Sequence, residues 1–367
     1  MLEKGRIGGD QAVMLMVNVI LPTALLSIPA ITVKFAKQDA WISIIIATSV
    51  GFLIARIVAN LGLRFPGKTL FEYAEEILGR IPGKIVGLLY IWWFLHMNAE
   101  VIREFGIFLV ATIMPETPIV VFQIFVVLVA AYAARNGLEV LSRFNQLFVL
   151  ILGLLAIVFV LPIKDMKLTR LLPVFDTGLL QVLKGAAMPA SWLGEIVTFA
   201  IILPYVNLTK PNDARRIADF SILLTGFLLS ASVLETLLVF GPYMTSAMIY
   251  PIFNVVREIS IANFLERLDY VIFITWVLGG FIKVGVFYFV AVLGSAQCFE
   301  LKDYRPLVAP VGVVLVALSI LIHEGVVDQL DFMARTWPPY ALIVFEMGIP
   351  LVLLFVTLLR GKGGKNI

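Results

Sequence analysis

Long apolar runs alternate with short polar segments along the chain, and the runs have the length of membrane-crossing helices. A helix spans the hydrocarbon core with about 20 apolar residues. Ten runs approach or exceed that length. In order they are Gln11–Phe35, Trp41–Leu63, Gly83–Met114, Pro118–Ala134, Leu141–Leu161, Gly185–Val206, Ile217–Phe240, Leu268–Cys298, Leu307–Ile322 and Pro338–Leu359. The pattern predicts an all-α integral membrane protein with ten transmembrane helices, called spans one to ten below.

The distribution of positive charge orients these spans. An even number of spans puts both termini on one side of the membrane. If that side is the cytoplasm, 16 of the 28 Lys and Arg residues fall in interior segments, nine in exterior segments and three within spans. The positive-inside rule favours this orientation, so we expect both termini to be cytoplasmic. The connecting segment Phe65–Ile81, inside, mixes apolar and charged residues and predicts an amphipathic helix at the membrane interface. The segment Thr245–Arg267, outside, has a similar mixture, and we expect it to cover the external face.

Span six is poorly suited to a continuous helix. Pro189 lacks an amide hydrogen, Gly194 has no side chain, and Glu195 follows directly. A carboxylate in mid-membrane costs about 2.5–3.5 kcal/mol on insertion scales, so it is a functional candidate by default. A broken membrane helix with an acid at the break is typical of transporter ligand sites. The alternative is a proline kink with a structural glutamate.

Span one carries a similar interruption, with Pro22 and Pro29 seven positions apart and the hydroxyl-bearing residues Thr23 and Ser27 between them. Interruptions at corresponding positions of two halves indicate an inverted-repeat transporter and its binding site. We therefore predict that span one unwinds near Thr23–Ser27 and span six near Ala190–Gly194.

Span three has a stripe of charge on one helical face. His96, Glu100, Arg103 and Glu104 recur at i, i+4, i+7 and i+8. Such a stripe cannot face lipid, so it lies towards the bundle interior or water. It serves either as a buried ion-pair network that fixes packing or as a relay for a ligand or proton.

Lys283 lies near the middle of span eight, beside Gly279 and Gly280, whose small size lets another helix approach. Judged from the span centres, Lys283 falls at a depth similar to that of Glu100 and Glu195. Unpaired charges are costly in hydrocarbon. We therefore predict that Lys283 lies within pairing or water-bridged distance of Glu100 or Glu195.

Composition excludes several function classes. The chain is 60% hydrophobic with a mean hydropathy of +1.00, whereas ordinary domains are about 45–50% apolar. A net charge of +3 gives no reason to expect nucleic acid, and one cysteine with two histidines cannot build a His/Cys metal cluster. The phosphate-loop spacing at Gly62–Thr69 follows a membrane helix instead of a strand, so we reject nucleotide binding. We expect no cofactor, no metal and no enzyme activity.

The ten spans, the interrupted spans one and six, and the segment Ser191–Ile196 resemble the membrane-embedded B subunits of bacterial spore-germination nutrient receptors. These belong to the amino acid–polyamine–organocation superfamily. The resemblance implies a LeuT-like 5+5 inverted repeat in a single domain, 1–367, with repeat one at about 11–161 and repeat two at about 185–359. It also implies a subunit that senses a small nutrient such as an amino acid, works with an A subunit and a lipoprotein C subunit, and resides in the spore inner membrane.

In this fold, spans one, three, six and eight line the central site. The resemblance implies that Lys283 stands in for the sodium ion of sodium-coupled relatives. We expect Glu195 to face the central cavity and to bind the ligand's amine or carry a proton. The predicted ligand-binding residues are Pro22, Thr23, Ala24, Leu26, Ser27, Glu100, Ser191, Trp192, Gly194, Glu195 and Lys283. Two alternatives remain open: a proton-coupled amino-acid transporter, and a structural subunit whose pocket is empty.

Overall fold

The computed structural model describes residues 2–210, 212–258 and 269–364, with the backbone alone for 148–158, 269, 271 and 272. Helical segments lie at all ten predicted span positions. In chain order the α-helices are α1 Gly9–Ala36, α2 Ala40–Arg64, α3 Leu70–Leu78, α4 Arg80–Thr112, α5 Ile119–Asn136, α6 Leu138–Val160, α7 Leu179–Gly194, α8 Phe199–Ile202, α9 Asn212–Ala247, α10 Pro251–Glu258, α11 Asp269–Cys298, α12 Val308–Leu321, α13 Val326–Arg335 and α14 Ile349–Leu359.

By length and apolarity, seven helical stretches of the described chain qualify as membrane spans, or up to eight if the bent pair α12–α13 counts as one. The first of the seven runs from Gly9 to Arg64 and contains both α1 and α2. The predicted interfacial helix in Phe65–Ile81 corresponds to α3, and the external segment Thr245–Arg267 contains α10. Residues 259–267 of the external segment lie outside the described residues.

Spans six and eight lie inside the bundle, and span ten lies at its edge. In the most apolar stretch of Leu179–Tyr205, 94% of the residues are buried. In the most apolar stretch of Phe273–Cys298, 83% of the residues are buried. The corresponding share for Pro339–Leu359 is 28%. Helix α1 is buried along most of its length and packs against α6, α7, α9 and α11. The central site is therefore formed where α1, the span-six segment and α11 meet.

The predicted unwinding of span one near Thr23–Ser27 is wrong. Helix α1 is continuous from Gly9 to Ala36, with Pro22 and Pro29 inside it. A membrane helix tolerates proline when neighbouring helices and side chains accommodate the freed backbone groups. Here Pro22 is enclosed by α11, because a Cβ atom placed on Gly279 would lie 2.4 Å from the Pro22 ring. Close packing thus holds the helix together across its weak point.

The predicted unwinding of span six near Ala190–Gly194 is also wrong, because Leu179–Tyr205 forms one helical stretch whose helix type changes just after that segment. Residues Ala190–Gly194 stay α-helical as the end of α7, and the change begins at Glu195. From there the segment is a 3₁₀-helix over Glu195–Thr198, then α8, then a second 3₁₀-helix over Leu203–Tyr205. A 3₁₀ stretch within a helix often marks a functional hinge or a sequence under strain. The change of helix type, called the break below, therefore falls on Glu195 itself.

Helix α13 is an element that the sequence did not predict. It begins after a break at Ile322–Gly325 and is bent by 99° from the helical segment Arg305–Leu321. It returns towards the bundle, where Gln329 is buried. At the opposite end, the N-terminal segment pairs with the end of span six. The amide of Ile7 donates to the carbonyl of Tyr205 (3.0 Å), and the amide of Asn207 donates to the carbonyl of Ile7 (2.9 Å).

Candidate ligand site

An ion pair joins spans six and eight at the break. The Lys283 Nζ lies 2.8 Å from both carboxyl oxygens of Glu195, and it donates to the Thr23 hydroxyl at 2.8 Å. Both charged side chains are almost entirely buried, with 0% and 3% exposure. The ring of Phe287 lies 5.6 Å from the same ammonium group. The predicted pairing of Lys283 is therefore confirmed, and Glu195 is the partner.

Thr23 connects this pair to the indole of Trp192. The Trp192 Nε1 donates to the Thr23 hydroxyl at 3.0 Å, so this hydroxyl accepts from both α7 and α11. A hydroxyl has two acceptor lone pairs, and both are used here. The arrangement ties α1, span six and α11 together through three polar side chains and one tryptophan. We call Thr23, Trp192, Glu195 and Lys283 the central network.

Gly194 makes room for a second acid behind the central network. A Cβ atom on Gly194 would lie 2.1 Å from the Oε2 of Glu346 and 3.0 Å from its Cβ. Glu346 belongs to a π-helical segment, Pro339–Gly348, at the start of span ten, and it is fully buried. The glycine is thus required by close approach, since any larger residue would displace Glu346 or the turn at Glu195.

A small cavity lies beside the central network. It measures about 30 Å³, and its lining includes Ser27, Glu104, Trp192, Tyr250 and Gln329. A wider cavity of about 260 Å³ adjoins it and shares Ser27 in its lining. The smaller volume corresponds to roughly one water molecule. In this structure the inner space is therefore closed around its polar groups.

Glu104 is the acid that lines this inner cavity. One of its carboxyl oxygens accepts a hydrogen bond from the Ser27 hydroxyl at 3.0 Å. Glu195 lines neither cavity, because Lys283 and Thr23 occupy the space in front of its carboxylate. The expected exposure of Glu195 to the cavity is therefore corrected, and Glu104 occupies that position.

A second polar cluster fastens α13 to span three. The Nε2 of His323 lies 2.8 and 3.0 Å from the two carboxyl oxygens of Glu100, and Gln329 donates to the same carboxylate at 3.1 Å. The Nδ1 of His323 lies 3.1 Å from Asp328, and His96 lies 3.7 Å from Glu100. Burial opposes protonation of His323, but its bonds to Glu100 and Asp328 outweigh burial and raise its pKa above the ordinary value. We call His96, Glu100, His323, Asp328 and Gln329 the outer cluster.

The charged residues of the span-three stripe contact different parts of the fold. Arg103 donates to the carbonyls of Ser319 and Ile320 at 3.2 and 3.1 Å, which holds α4 against α12. Glu100 belongs to the outer cluster, whereas Glu104 reaches Ser27 of α1. The packing interpretation thus describes Arg103 and Glu100, and Glu104 is the member of the stripe that faces the cavity.

The remaining predicted site residues lie around these groups. Pro22 packs against Gly279, and Ala24 and Leu26 are buried in α1 with no exposed surface. The Ser191 hydroxyl donates to the carbonyl of Met188 at 2.9 Å, within its own helix. None of these four residues lines either cavity, so their roles in ligand binding stay a prediction.

Sequence reasoning did not identify His323, Asp328, Gln329 or Glu346 as contributors to this region. For Gln329 the available signal was the mixture of apolar and polar residues over Val326–Arg335, which resembles that of the predicted interfacial helix in Phe65–Ile81. Glu346 gave only the general signal of an acid within a span.

Comparison with known proteins identifies the family of this chain. A family model described as "Spore germination protein" matches residues 6–326. The chain belongs to this spore germination protein family. Spore germination protein KB of Bacillus subtilis is 26% identical over 98% of this chain and 97% of its own. The putative spore germination protein YfkT of the same organism is 26% identical over 89% of each chain.

Solved structures show the fold. MhsT, crystallised in complex with L-phenylalanine, superimposes with a TM-score of 0.65 at 13% identity, over 97% of this chain and 99% of that one. Mhp1, a nucleobase–cation symporter with a bound hydantoin, gives a TM-score of 0.66 at 12% identity, over 98% and 79% of the two chains. The fold is therefore LeuT-like, as predicted. The two repeats at about 11–161 and 185–359 stay a prediction.

Proposed function

We propose that this chain is the nutrient-sensing membrane subunit of a spore germinant receptor. It binds a small nutrient, such as an amino acid, between span one and the break in span six. It works with an A subunit and a lipoprotein C subunit and crosses the spore inner membrane with both termini in the cytoplasm. Family membership and the germination proteins that it resembles support the cellular role. The LeuT-like fold supports a ligand site at the midplane.

The cavity beside Ser27, Glu104 and Trp192 is the observation that carries this proposal. It lies against the central network, in the region where transporters of this fold hold their ligands. Because Lys283 already neutralises Glu195, Glu104 is the carboxylate on the lining that is available to an incoming ammonium group. The ligand is thus a small amine-bearing molecule. Its entry enlarges the cavity by displacing Trp192 or α13.

The test is ligand binding to the receptor complex carrying Glu104→Gln. The protein amino acids are screened for stabilisation of the purified wild-type complex against heat, and the amino acids that stabilise it are titrated. Loss of a charge-assisted hydrogen bond costs about 1.5–3 kcal/mol, so the variant should bind about 10- to 150-fold more weakly. The matched control is Glu116→Gln, which removes an exposed carboxylate beyond the end of α4. Unchanged affinity in the Glu104 variant would contradict this site.

Accumulation of the same labelled amino acid in proteoliposomes separates the alternatives. Binding without accumulation supports the receptor, and concentrative uptake driven by a proton gradient supports the transporter. Neither binding nor uptake, in a complex that still supports germination, would leave the structural-subunit alternative.

A further inference from the structure

Glu346 is a buried acid that the proposed ligand site does not use. Its side chain is fully buried, and neither carboxyl oxygen has a hydrogen-bond partner among the described protein atoms. It lies in the π-helical segment Pro339–Gly348, a helix type found frequently at functional sites. Its carboxyl group is aimed at Gly194, directly before the break at Glu195.

The groups around Glu346 leave its charge uncompensated. Glu195, at the break, carries the same charge as Glu346 when it is ionised. Lys283 of α11 is the nearby cation, but its ammonium group already bonds to Glu195 and Thr23. From α4 come Tyr90 and His96. The Tyr90 hydroxyl donates to the carbonyl of Phe345, and His96 bonds to the Tyr340 hydroxyl at 3.2 Å. Helix α14 brings no titratable residue, and Lys184, the titratable residue of α7, is exposed at its far end.

Two carboxyl groups thus share one lysine. If both were ionised, the buried group of Glu195, Glu346 and Lys283 would carry one net negative charge. An isolated carboxylate in an apolar interior takes up a proton in preference to remaining charged. One proton makes the group neutral, and it belongs on Glu346, because Glu195 already has its cation.

We propose that Glu346 is a proton-binding site coupled to the break in span six. The coupling follows from contact: Gly194 separates Glu346 from Glu195, so a displacement of the break changes the distance from Lys283 to both acids. When Lys283 turns from Glu195 towards Glu346, Glu346 has a cation and gives up its proton. Glu195, now without a cation, takes up a proton, so the buried group stays neutral and the lysine keeps its own proton. The ligand-dependent part of this proposal rests on the proposed function, whereas the proton site itself does not.

The proton site is tested without any ligand. A protonated buried carboxylic acid gives an infrared carbonyl band that persists at a pH where ordinary carboxyl groups are ionised. In the purified chain at neutral pH, we expect Glu346→Gln to remove part of this band. An unchanged band would overturn the proposal. If the glutamine variant does not fold, Glu346→Leu removes the same carboxyl group into apolar surroundings and takes its place.

Thermal stability supplies a second readout and separates a proton from a metal cation. The folded protein binds a proton that the unfolded chain releases, so wild-type stability should fall as pH rises above the ordinary carboxyl range. In the Glu346→Gln variant, stability should fall less steeply with rising pH. If added sodium or potassium stabilises the wild type at neutral pH but leaves Glu346→Gln unaffected, the site binds a metal cation and the proton assignment is overturned.

The coupling is tested by adding an amino acid that stabilises the wild-type complex and recording the change in the infrared carbonyl band. We expect the band to shift in the wild type, because the proton moves from Glu346 to Glu195, and we expect no such shift in Glu346→Gln. Glu235→Gln is the matched control, because Glu235 of α9 is also buried with both oxygens unpartnered among the described atoms but lies away from the break. It should lose its own share of the infrared band and keep the ligand-dependent shift. An infrared band that the amino acid does not shift would retain the site and refute its coupling, whereas absence of any stabilising amino acid would refute only the proposed function.

Discussion

The ion pair between Lys283 and Glu195 provides the most direct test of the central network. We consider Lys283→Met, Glu195→Gln and the double variant. Each single change keeps approximate side-chain size and removes one charge. The methionine variant leaves a buried carboxylate facing Thr23, and the glutamine variant leaves a buried ammonium with Thr23 and the Phe287 ring as its remaining partners.

The expected magnitude follows from burial. With exposures of 0% and 3%, neither charge benefits from the solvent screening that makes surface pairs weak. Removal of one partner from a buried pair costs about 3–5 kcal/mol, whereas neutral replacement of both is often close to neutral. The double variant should therefore lie within roughly 1–2 kcal/mol of wild type. The coupling energy should then be at least about 4 kcal/mol, above the roughly 0.5–3 kcal/mol usual for contacting residues. At about 2–4 °C per kcal/mol, each single variant should lower the Tm by roughly 6–20 °C.

The assay is thermal unfolding of the purified chain in one detergent, followed by intrinsic tryptophan fluorescence. Lys164→Met is the matched control, because Lys164 is exposed beyond the end of α6 and its loss should leave the Tm unchanged. Two results would refute the reasoning. Lys283→Met could be as stable as wild type, which would mean that Glu195 needs no cation. Alternatively, the double variant could lose the sum of the two single effects, which would mean that the residues do not interact.

Two further predictions concern the surroundings of the site. Gly194→Ala should destabilise the chain by displacing Glu346, whereas Gly364→Ala, with no heavy atom within 4 Å of its added Cβ, should not; equal Tm values for the two variants would contradict the close approach. The bonds of His323 to Glu100 raise its pKa, so their contribution to stability should be complete below about pH 6.5 and lost as pH rises through the higher folded-state pKa. A stability profile between pH 6 and 9 should therefore slope downwards, and His323→Gln should flatten it; the same slope in both proteins would exclude this role.

Hydrophobic patterning was enough to predict the membrane architecture. Apolar runs near the thickness of the bilayer leave little choice of structure, since the backbone must satisfy its hydrogen bonds internally. The pairing of Lys283 followed from the same constraint. A lysine at that depth must find an acid, and few acids lie at a similar depth.

Local irregularity was harder to place. Both prolines in α1 predicted a break, yet the helix continues, because its course is set by how closely α11 approaches at Gly279. In span six the α-helix persists through Gly194, and the change falls at Glu195. Proline and glycine thus indicate where a membrane helix can yield. Tertiary packing decides whether it does.

The roles of the acids could not be separated by sequence, because they depend on which side chain reaches which. Glu100 and Glu104 are one helical turn apart on the same stripe. The first meets His323 and Gln329 from α13, and the second meets Ser27 and the cavity. Nothing in the spacing indicates that α13 turns back by 99° over span three. Contacts made across the fold therefore decide which acid remains available to a ligand.

The inner cavity contacts both the central network and the outer cluster. This is the reason for expecting a ligand in the cavity to change the conformation of the subunit. Its lining includes Trp192, which bonds to Thr23 of the central network, and Gln329, which bonds to Glu100 of the outer cluster. A space for about one water cannot admit an amino acid unless residues of its lining move. Movement of Trp192 would disturb the hydroxyl that Lys283 shares, and movement of Gln329 would loosen α13. Because a ligand can shift a conformational equilibrium only through contacts that differ between the states, we propose these two side chains as the points where nutrient binding changes the subunit.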